Sequence, residues 1–570
     1  MQIKQRYEGG KSMAIGLSRW PWASCIIILL ILLSQGQAFP QVPSLANSKS
    51  QEASADHPNI VLIVADDFGY GDLSCYGSTK IITPHVDKLA SKGIRFTDAY
   101  VASSLCSPSR YSILTGRYSW RTHLRTGVLK PFAPPLIEEG RTTLASMLKR
   151  KGYLTACVGK WHLGMNWALK EDAPVDAEEV VFNSWGTESQ QYIDFSKPVE
   201  SGPLQKGFDY FFGIAGSNNM IPFVFIENER ILAPPSVTNN FGPKTLRAPD
   251  WDLRSLDRKF TRKAVEIIDN HFRRNSADPL FLYFPTSAIH APCLPTITKG
   301  QSRAGMRGDM VMEFDRMVGE VVKALERNGA LENTLLIVTS DNGPLPGDPY
   351  AQVQNFRNKA FGEEYDYYQP YFAKHRATHP GIGGQRAGWM TYGHDPTAGL
   401  LGFKSDAWEG GLRVPFIVHW PQKIHEASVS DQTICTADLL ATFAAIIGEN
   451  LAEDEGEDSY GFLQNLLDKD APAARESVTL VAGRSGALVV RQGKWKYIEA
   501  VNPPDRSSPT AYPPPPNEFP GAAGVDEVQL YNLMDDVHER NNLARTRPEK
   551  VGEMKSILEK VKINAKSERK

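Results

Sequence analysis

The chain has 570 residues, 41% of them hydrophobic, which is enough to bury a large core and suggests two to four domains on length alone. Its formal net charge is −2, so it has no bulk attraction for nucleic acid or acidic membranes. Any anion it recognises must be met by a few placed cations.

Lys4, Arg6, Lys11 and Arg19 precede an apolar run over Ala23–Leu33, and Gly36-Gln37-Ala38 follows. That is the layout of a secretory signal peptide over 1–38, cleaved after Ala38, which predicts export to a periplasm or the exterior. A retained signal anchor is the alternative. The run is short for a membrane span and no later stretch offers about 18 apolar residues without charge, so stable membrane insertion is not expected. Residues 39–57 read as a flexible leader.

Asn59–Ala65 is a continuous apolar run ending in Asp66-Asp67, the form of a strand buried on both faces with functional groups at its carboxyl end. A helix is predicted from Thr83-Pro84 through Lys92, stopped by Gly93, and another from Thr142 or Thr143 through Lys151. The strand Tyr153–Gly159 then delivers Lys160-Trp161-His162. Helix Arg262–Phe272 precedes strand Pro279–Phe284, which leads towards His290. Helix Met310–Asn328 precedes strand Thr334–Thr339, which delivers Ser340-Asp341-Asn342-Gly343. This alternation predicts an α/β fold, a large, mainly parallel sheet sandwiched by helices.

Residues 344–401 are rich in aromatic side chains without helical or strand period, and read either as a lid over the substrate entrance or as a structural flap. Strand Val414–Trp420 and helix Ala437–Ile447 close a large domain over 58–450. The acidic stretch Glu453–Asp458 reads as a solvated loop. Short strand candidates at Val478–Val481, Ala487–Arg491, Lys494–Ile498 and Val528–Asn532, then a helix near Arg547–Lys562, predict a smaller antiparallel sheet plus helix in a C-terminal α+β subdomain over 451–570.

Of six cysteines, Cys25 would leave with the signal. Cys75, Cys106, Cys157, Cys293 and Cys435 are scattered without zinc-like spacing, which argues against a disulfide framework and a cysteine metal site. Read alone, Cys106 is a buried thiol near a turn. Asp66, Asp67, Asp341 and Asn342 offer oxygen only, and such sets select Ca²⁺ or Mg²⁺ over zinc, although Asp-Asp is often a cap and Asp-Asn-Gly a turn. Arg110, Lys160, Lys404, His162 and His290 supply donors that could stabilise charge developing on a bridging oxygen.

The stretch Cys106-Ser107-Pro108-Ser109-Arg110, continued through Thr115-Gly116-Arg117, resembles the signature of the type I sulfatases, arylsulfatase-like members of the alkaline phosphatase superfamily. Gly159-Lys160-Trp161-His162-Leu163-Gly164 resembles the family's second signature, and Gly402-Phe403-Lys404 with Trp408–Pro415 a later one. Further likenesses at Thr83–Asp87, Gly207–Gly213, Arg491–Lys496, Leu530–Leu533 and Asn541–Ala544 extend it from about Asn59 to Ala544, with divergence concentrated in 344–401.

The resemblance implies an alkaline-phosphatase/sulfatase-like fold and hydrolysis of sulfate esters. Cys106 would be oxidised to formylglycine by a maturation enzyme, and its hydrate would be the nucleophile. Asp66, Asp67, Asp341, Asn342 and the modified Cys106 would hold a metal, with calcium favoured and magnesium possible. Lys160, Lys404 and His290 would bind sulfate oxygens, His290 or Lys404 would protonate the departing alcohol, and His162 would take the proton that releases sulfate. Arg110 would hold the modified side chain. Ser217–Met220 would line the pocket. The aromatic stretch and predicted export favour sulfated sugars or polysaccharides as substrate. The rivals are a phosphonate monoester or phosphodiester hydrolase of the same superfamily, and an unmodified, inactive glycan-binding homologue.

Overall fold

The computed structural model describes residues 57–185, 187–238, 245–274, 277–345, 393–501 and 527–567. The expected signal segment, all of the leader but residue 57, and most of the 344–401 insertion lie outside the described residues. Strand β1 (Asn59–Ala65) is the expected one, and all seven of its residues are buried. A strand with no polar face needs partners on both edges and cover on both faces.

In chain order there follow α1 (Pro84–Ala90), β2 (Ile94–Phe96), α2 (Cys106–Thr115), α3 (Leu144–Arg150), β3 (Leu154–Lys160), β4 (Tyr210–Ile214), β5 (Ile226–Glu227) and β6 (Arg230–Ile231). Next come α4 (Leu256–Arg273), β7 (Leu280–Pro285), α5 (Gly305–Arg327), β8 (Thr334–Ser340), β9 (Phe416–His419), β10 (Ser428–Ser430) and α6 (Leu439–Ile446). They build a ten-stranded sheet in the order β10-β2-β9-β8-β1-β7-β3-β4-β5-β6. Its centre, β8-β1-β7-β3-β4, is parallel throughout, and β9 joins β8 antiparallel. The predicted mainly parallel α/β sheet is therefore present.

Register places the carboxyl ends. Ala65 pairs with Ser340, so the residues that follow, Asp66 and Asp341, emerge side by side, and the Asp341 N–H donates to the Ala65 carbonyl at 3.1 Å. Two strands along, β3 delivers Lys160 at the same edge as the end of β7. Gly159 is required there, because a Cβ would lie 1.9 Å from the Pro285 carbonyl oxygen.

Three helices depart from expectation. Cys106 opens helix α2, and all ten residues of that helix are buried. A helix covered on every side has no polar stripe to reveal its period, and Pro108 in its first turn costs it nothing. Helices α4 and α5 start at Leu256 and Gly305, not Arg262 and Met310. Their first turns carry Asp257, Arg307 and Asp309, charged residues that look like surface in the sequence but are buried here.

The four short strands near the C-terminus form an antiparallel sheet, β11 (Ser477–Val481), β12 (Leu488–Gln492), β13 (Trp495–Ile498) and β14 (Gln529–Asn532), with α7 (Pro548–Ser567) beyond. A buried ion network ties it to the segment before β9. Lys496, wholly buried, pairs with Glu409 at 2.9 Å and Glu539 at 2.8 Å. Glu409 also accepts from the Tyr100 hydroxyl at 2.8 Å, and Glu539 accepts from the Glu409 N–H at 2.7 Å. Substituting Lys496→Met leaves both carboxylates buried without this cation, and the expected loss is about 3–5 kcal/mol. Urea unfolding of the two proteins measures it.

Candidate active site

The site lies at the carboxyl edge of the central strands, where α/β sheets place ligands. Asp66 and Asp67 come from the end of β1, Asp341 and Asn342 from β8, Lys160 and His162 from β3, His290 from the loop after β7, Cys106 and Arg110 from α2, and Lys404 from the segment before β9. Every candidate from the sequence converges here.

Three buried carboxylates would repel one another without cations. Lys160 Nζ donates to Asp66 Oδ2 at 2.6 Å, Lys404 Nζ pairs with Asp67 Oδ1, and Arg110 bridges to Asp341 Oδ2 at 2.9 Å from Nε and 2.7 Å from Nη2. Burial alone would raise the Asp66 pKa, but Lys160, His290, Arg110 and Lys404 outweigh it and hold this carboxyl well below the carboxylate range. Asp341 goes the other way, because burial and the Asp66 charge raise it more than Arg110 lowers it. Burial opposes the charge on Lys404, yet Asp67 and the groups around it keep its pKa well above the usual value.

Arg110 sits one turn beyond Cys106. Its guanidinium holds Asp341 and donates from Nη1 to the Lys160 carbonyl at 3.0 Å. Cys106 Sγ lies 3.7 Å from Asp66 Oδ1. Burial pushes its thiol up to about 12 against the pull of Lys160 and Lys404, so the unmodified side chain is protonated and a poor nucleophile near neutral pH.

The two histidines differ in tautomer, read from their partners. His290 Nδ1 faces two acceptors, Asn218 Oδ1 at 3.0 Å and the Ala291 carbonyl at 2.7 Å, so the proton sits on Nδ1. Its Nε2 is 3.9 Å from Asp67 Oδ2, and burial lowers its pKa to about 4. His162 has Nε2 against the Leu129 carbonyl at 3.3 Å, which leaves a buried Nδ1 lone pair with no hydrogen-bond partner among the described residues. Burial, Lys160 and Arg110 push its pKa well below the usual value. Asp67 and His162 have φ of 64° and 55°, a left-handed backbone rare outside glycine and often found at functional sites.

Donor atoms of Asp66, Asp67, Cys106 and His290 lie within 4.8 Å of one another. Two further observations fit a hard cation. Asp67 Oδ2 and Asn342 Oδ1 are buried oxygens without hydrogen-bond partners among the described residues. Asn342 donates its amide to Asp67 Oδ1 at 2.8 Å, which turns its own oxygen elsewhere. Asp66, Asp67, Asp341 and Asn342 would hold the ion, with residue 106 beside them and Arg110 bracing Asp341. No disulfide joins any two of the five cysteines among the described residues.

Asn218 was legible only as a pocket residue, and the structure places it on His290. Asp257 had no sequence signal at all. It accepts from the Ser287 N–H at 2.8 Å and so anchors the loop that carries His290.

Fold and site together define a hydrolase of anionic esters, with a cluster of carboxylates and cations around a helix-borne cysteine at the carboxyl edge of a parallel sheet. The chain belongs to the sulfatase family, whose model, described as "Sulfatase", matches residues 58–449. It is 32% identical to an N-acetylgalactosamine-6-O-sulfatase of Bacteroides thetaiotaomicron, over 92% of this chain and 98% of that one. Identity to arylsulfatase A of Homo sapiens is 30%, covering 86% and 84%. A solved 6S-sulfatase structure, described with the metabolism of multiple glycosaminoglycans by Bacteroides thetaiotaomicron, is 30% identical with a TM-score of 0.70, covering 89% of this chain and all of that one. The protein is a sulfuric ester hydrolase.

Burial raises the Asp257 pKa to about 7, more than the Ser287 and Ala288 N–H donors lower it. A folded value above the unfolded 3.8 means the associated stability is whole below about pH 4 and is lost as pH rises to about 7. Asp257→Asn should therefore gain in Tm relative to the parent between pH 5 and pH 8. Thermal melts at the two pH values check the sign.

Proposed function

We propose that this sulfatase removes sulfate from sulfated sugars outside the cytoplasm, using formylglycine made from Cys106 and a calcium ion. The observation that carries this is the protonated, buried Cys106 thiol set among Asp66, Asp67 and His290, which has little use as a thiol nucleophile but is well placed once modified. When present, the hydrated aldehyde supplies the nucleophile and the divalent ion increases its acidity. Asp66, Asp67, Asp341 and Asn342 are the residues that would hold the ion. Magnesium satisfies the same oxygen donors, and calcium is favoured by family likeness.

The chain's own residues handle charge and protons. Lys160 and Lys404 present ammonium groups to the sulfate oxygens, where a dry site makes each contact stronger than in water. Lys404, held charged by Asp67, donates the proton to the departing alcohol. His290 keeps its proton on Nδ1 through Asn218 and Ala291 and offers Nε2 as a hydrogen-bonding partner, acquiring a second proton only when an anion offsets the cost of burial. His162, neutral and with an unpartnered Nδ1, is suited to take the proton whose loss releases sulfate.

The sugar assignment draws on the names of the related enzymes and on the aromatic 344–401 stretch. Export rests on the signal layout of residues 1–38, with cleavage after Ala38. A formylglycine-generating enzyme is the implied partner during maturation.

Purified protein given a panel of sulfated oligosaccharides and an aryl sulfate should release inorganic sulfate from both, and intact-protein mass should show an aldehyde in place of the Cys106 thiol. Cys106→Ala should lose turnover completely. Full turnover by that variant, or by protein whose mass shows only the thiol, defeats the proposal. His162→Ala should lower kcat by about 10²–10⁴.

A further inference from the structure

Behind Asp67 lies a buried polar cluster that the scheme above does not use. Asp72 is completely buried, Arg307 is 4% exposed and His394 is 6% exposed. Arg307, in the first turn of α5, donates from Nε to Asp72 Oδ1 at 3.1 Å and from Nη2 to the Asp67 carbonyl oxygen at 3.0 Å. Its Nη2 also bonds Asp72 Oδ2. Asp72 Oδ1 accepts a second bond, from His394 Nε2 at 2.9 Å, and Asp72 Oδ2 accepts from the Gly69 N–H at 2.7 Å.

His394 belongs to a segment that meets the turn after β1 more than once. The Gly71 N–H donates to the Pro396 carbonyl at 2.8 Å, and a Cβ on Gly69 would sit 2.1 Å from that same oxygen. Lys404, further along, pairs with the Asp67 carboxylate. Asp67 is thus held at both ends, its carbonyl by Arg307 and its carboxylate by Lys404 and Asn342. The carbonyl contact matters because Asp67 has a φ of 64°, and fixing the peptide that follows it fixes the direction of its side chain.

We propose that Arg307, supported by Asp72 and His394, is a positioning relay that sets the Asp67 carboxylate for cation binding, so that cation affinity depends on side chains that never touch the ion. The inference rests on the metal reading above. A planar guanidinium bonds one carboxylate through two nitrogens while also reaching a carbonyl, and an ammonium, with its donors on one nitrogen, does not reproduce that fork. Outer partners of metal ligands typically change affinity 10–100-fold when removed.

The test is calorimetric Ca²⁺ titration of the purified full chain, together with melting in chelator, for the parent, Arg307→Lys, His394→Ala and His394→Gln. Arg307→Lys should weaken Ca²⁺ binding by about 10-fold or more. His394→Ala should weaken it less, and His394→Gln, whose amide N–H can still donate to Asp72, should restore part of the loss. The Ca²⁺ concentration giving half-maximal activity should rise by the same factors. Parental affinity in Arg307→Lys and His394→Ala overturns the relay, and so does a lower melting temperature in chelator with affinity unchanged. A parent that binds neither Ca²⁺ nor Mg²⁺ removes the metal reading itself, and the relay with it.

Discussion

Asp66, Asp67 and Asp341 stand at one sheet edge with no exposure to water, and their mutual repulsion is the constraint that the surrounding structure must answer. Lys160, Lys404 and Arg110 answer it, one cation to each carboxylate, and each cation arrives from a different part of the chain. Burying such pairs is costly unless the geometry is good and the remaining donors are used, so the helices and loops that deliver these cations have little freedom to move. The uneven result for Asp66 and Asp341, one pushed down and the other up, follows from the cations being shared unequally.

The same cations suit the site to its reaction. A sulfate ester carries one negative charge that shifts towards the bridging oxygen as the S–O bond breaks, and a site already lined with fixed positive groups needs little rearrangement to meet it. Lys160 and Lys404 contact two of the carboxylates proposed to hold the cation. His162 and His290 are kept neutral mainly by burial, with Lys160 and Arg110 beside the first and Lys404 and Lys160 beside the second, which fits one as a proton acceptor and the other as a hydrogen-bonding partner.

Much of this was legible because the chemistry sits at strand ends and in short local motifs. The apolar run Asn59–Ala65 announced a strand buried on both faces, and its terminal Asp66-Asp67 could be placed at the sheet edge from the sequence alone. Lys160-Trp161-His162 and Ser340-Asp341-Asn342 followed the same logic. What escaped was of two kinds. Helix α2 is buried all round, so the periodic signal that reveals most helices is absent from Cys106–Thr115. Asp72, Arg307 and His394 meet across more than two hundred residues of sequence, and nothing local in any of them marks a partner. Arg110 shows a subtler limit. Its motif located it correctly, but the motif could not say that its guanidinium would face Asp341 and the Lys160 carbonyl.

That last point bears on how residue 106 is placed. Cys106 and Arg110 share the first turn and a half of α2, so the bonds Arg110 makes to Asp341 and to the Lys160 carbonyl pin the start of the helix to the ends of β8 and β3 together. Residue 106 is then carried by a helix clamped to two strands, with less freedom than a loop would allow, and rigid support of this kind is what a group in a catalytic site needs to stay within a narrow geometric tolerance. Arg110 therefore braces the site through Asp341 and the Lys160 carbonyl, one turn from residue 106. Its loss would loosen Asp341, Lys160 and Cys106 at once, and these three effects could not be separated by adding single contacts.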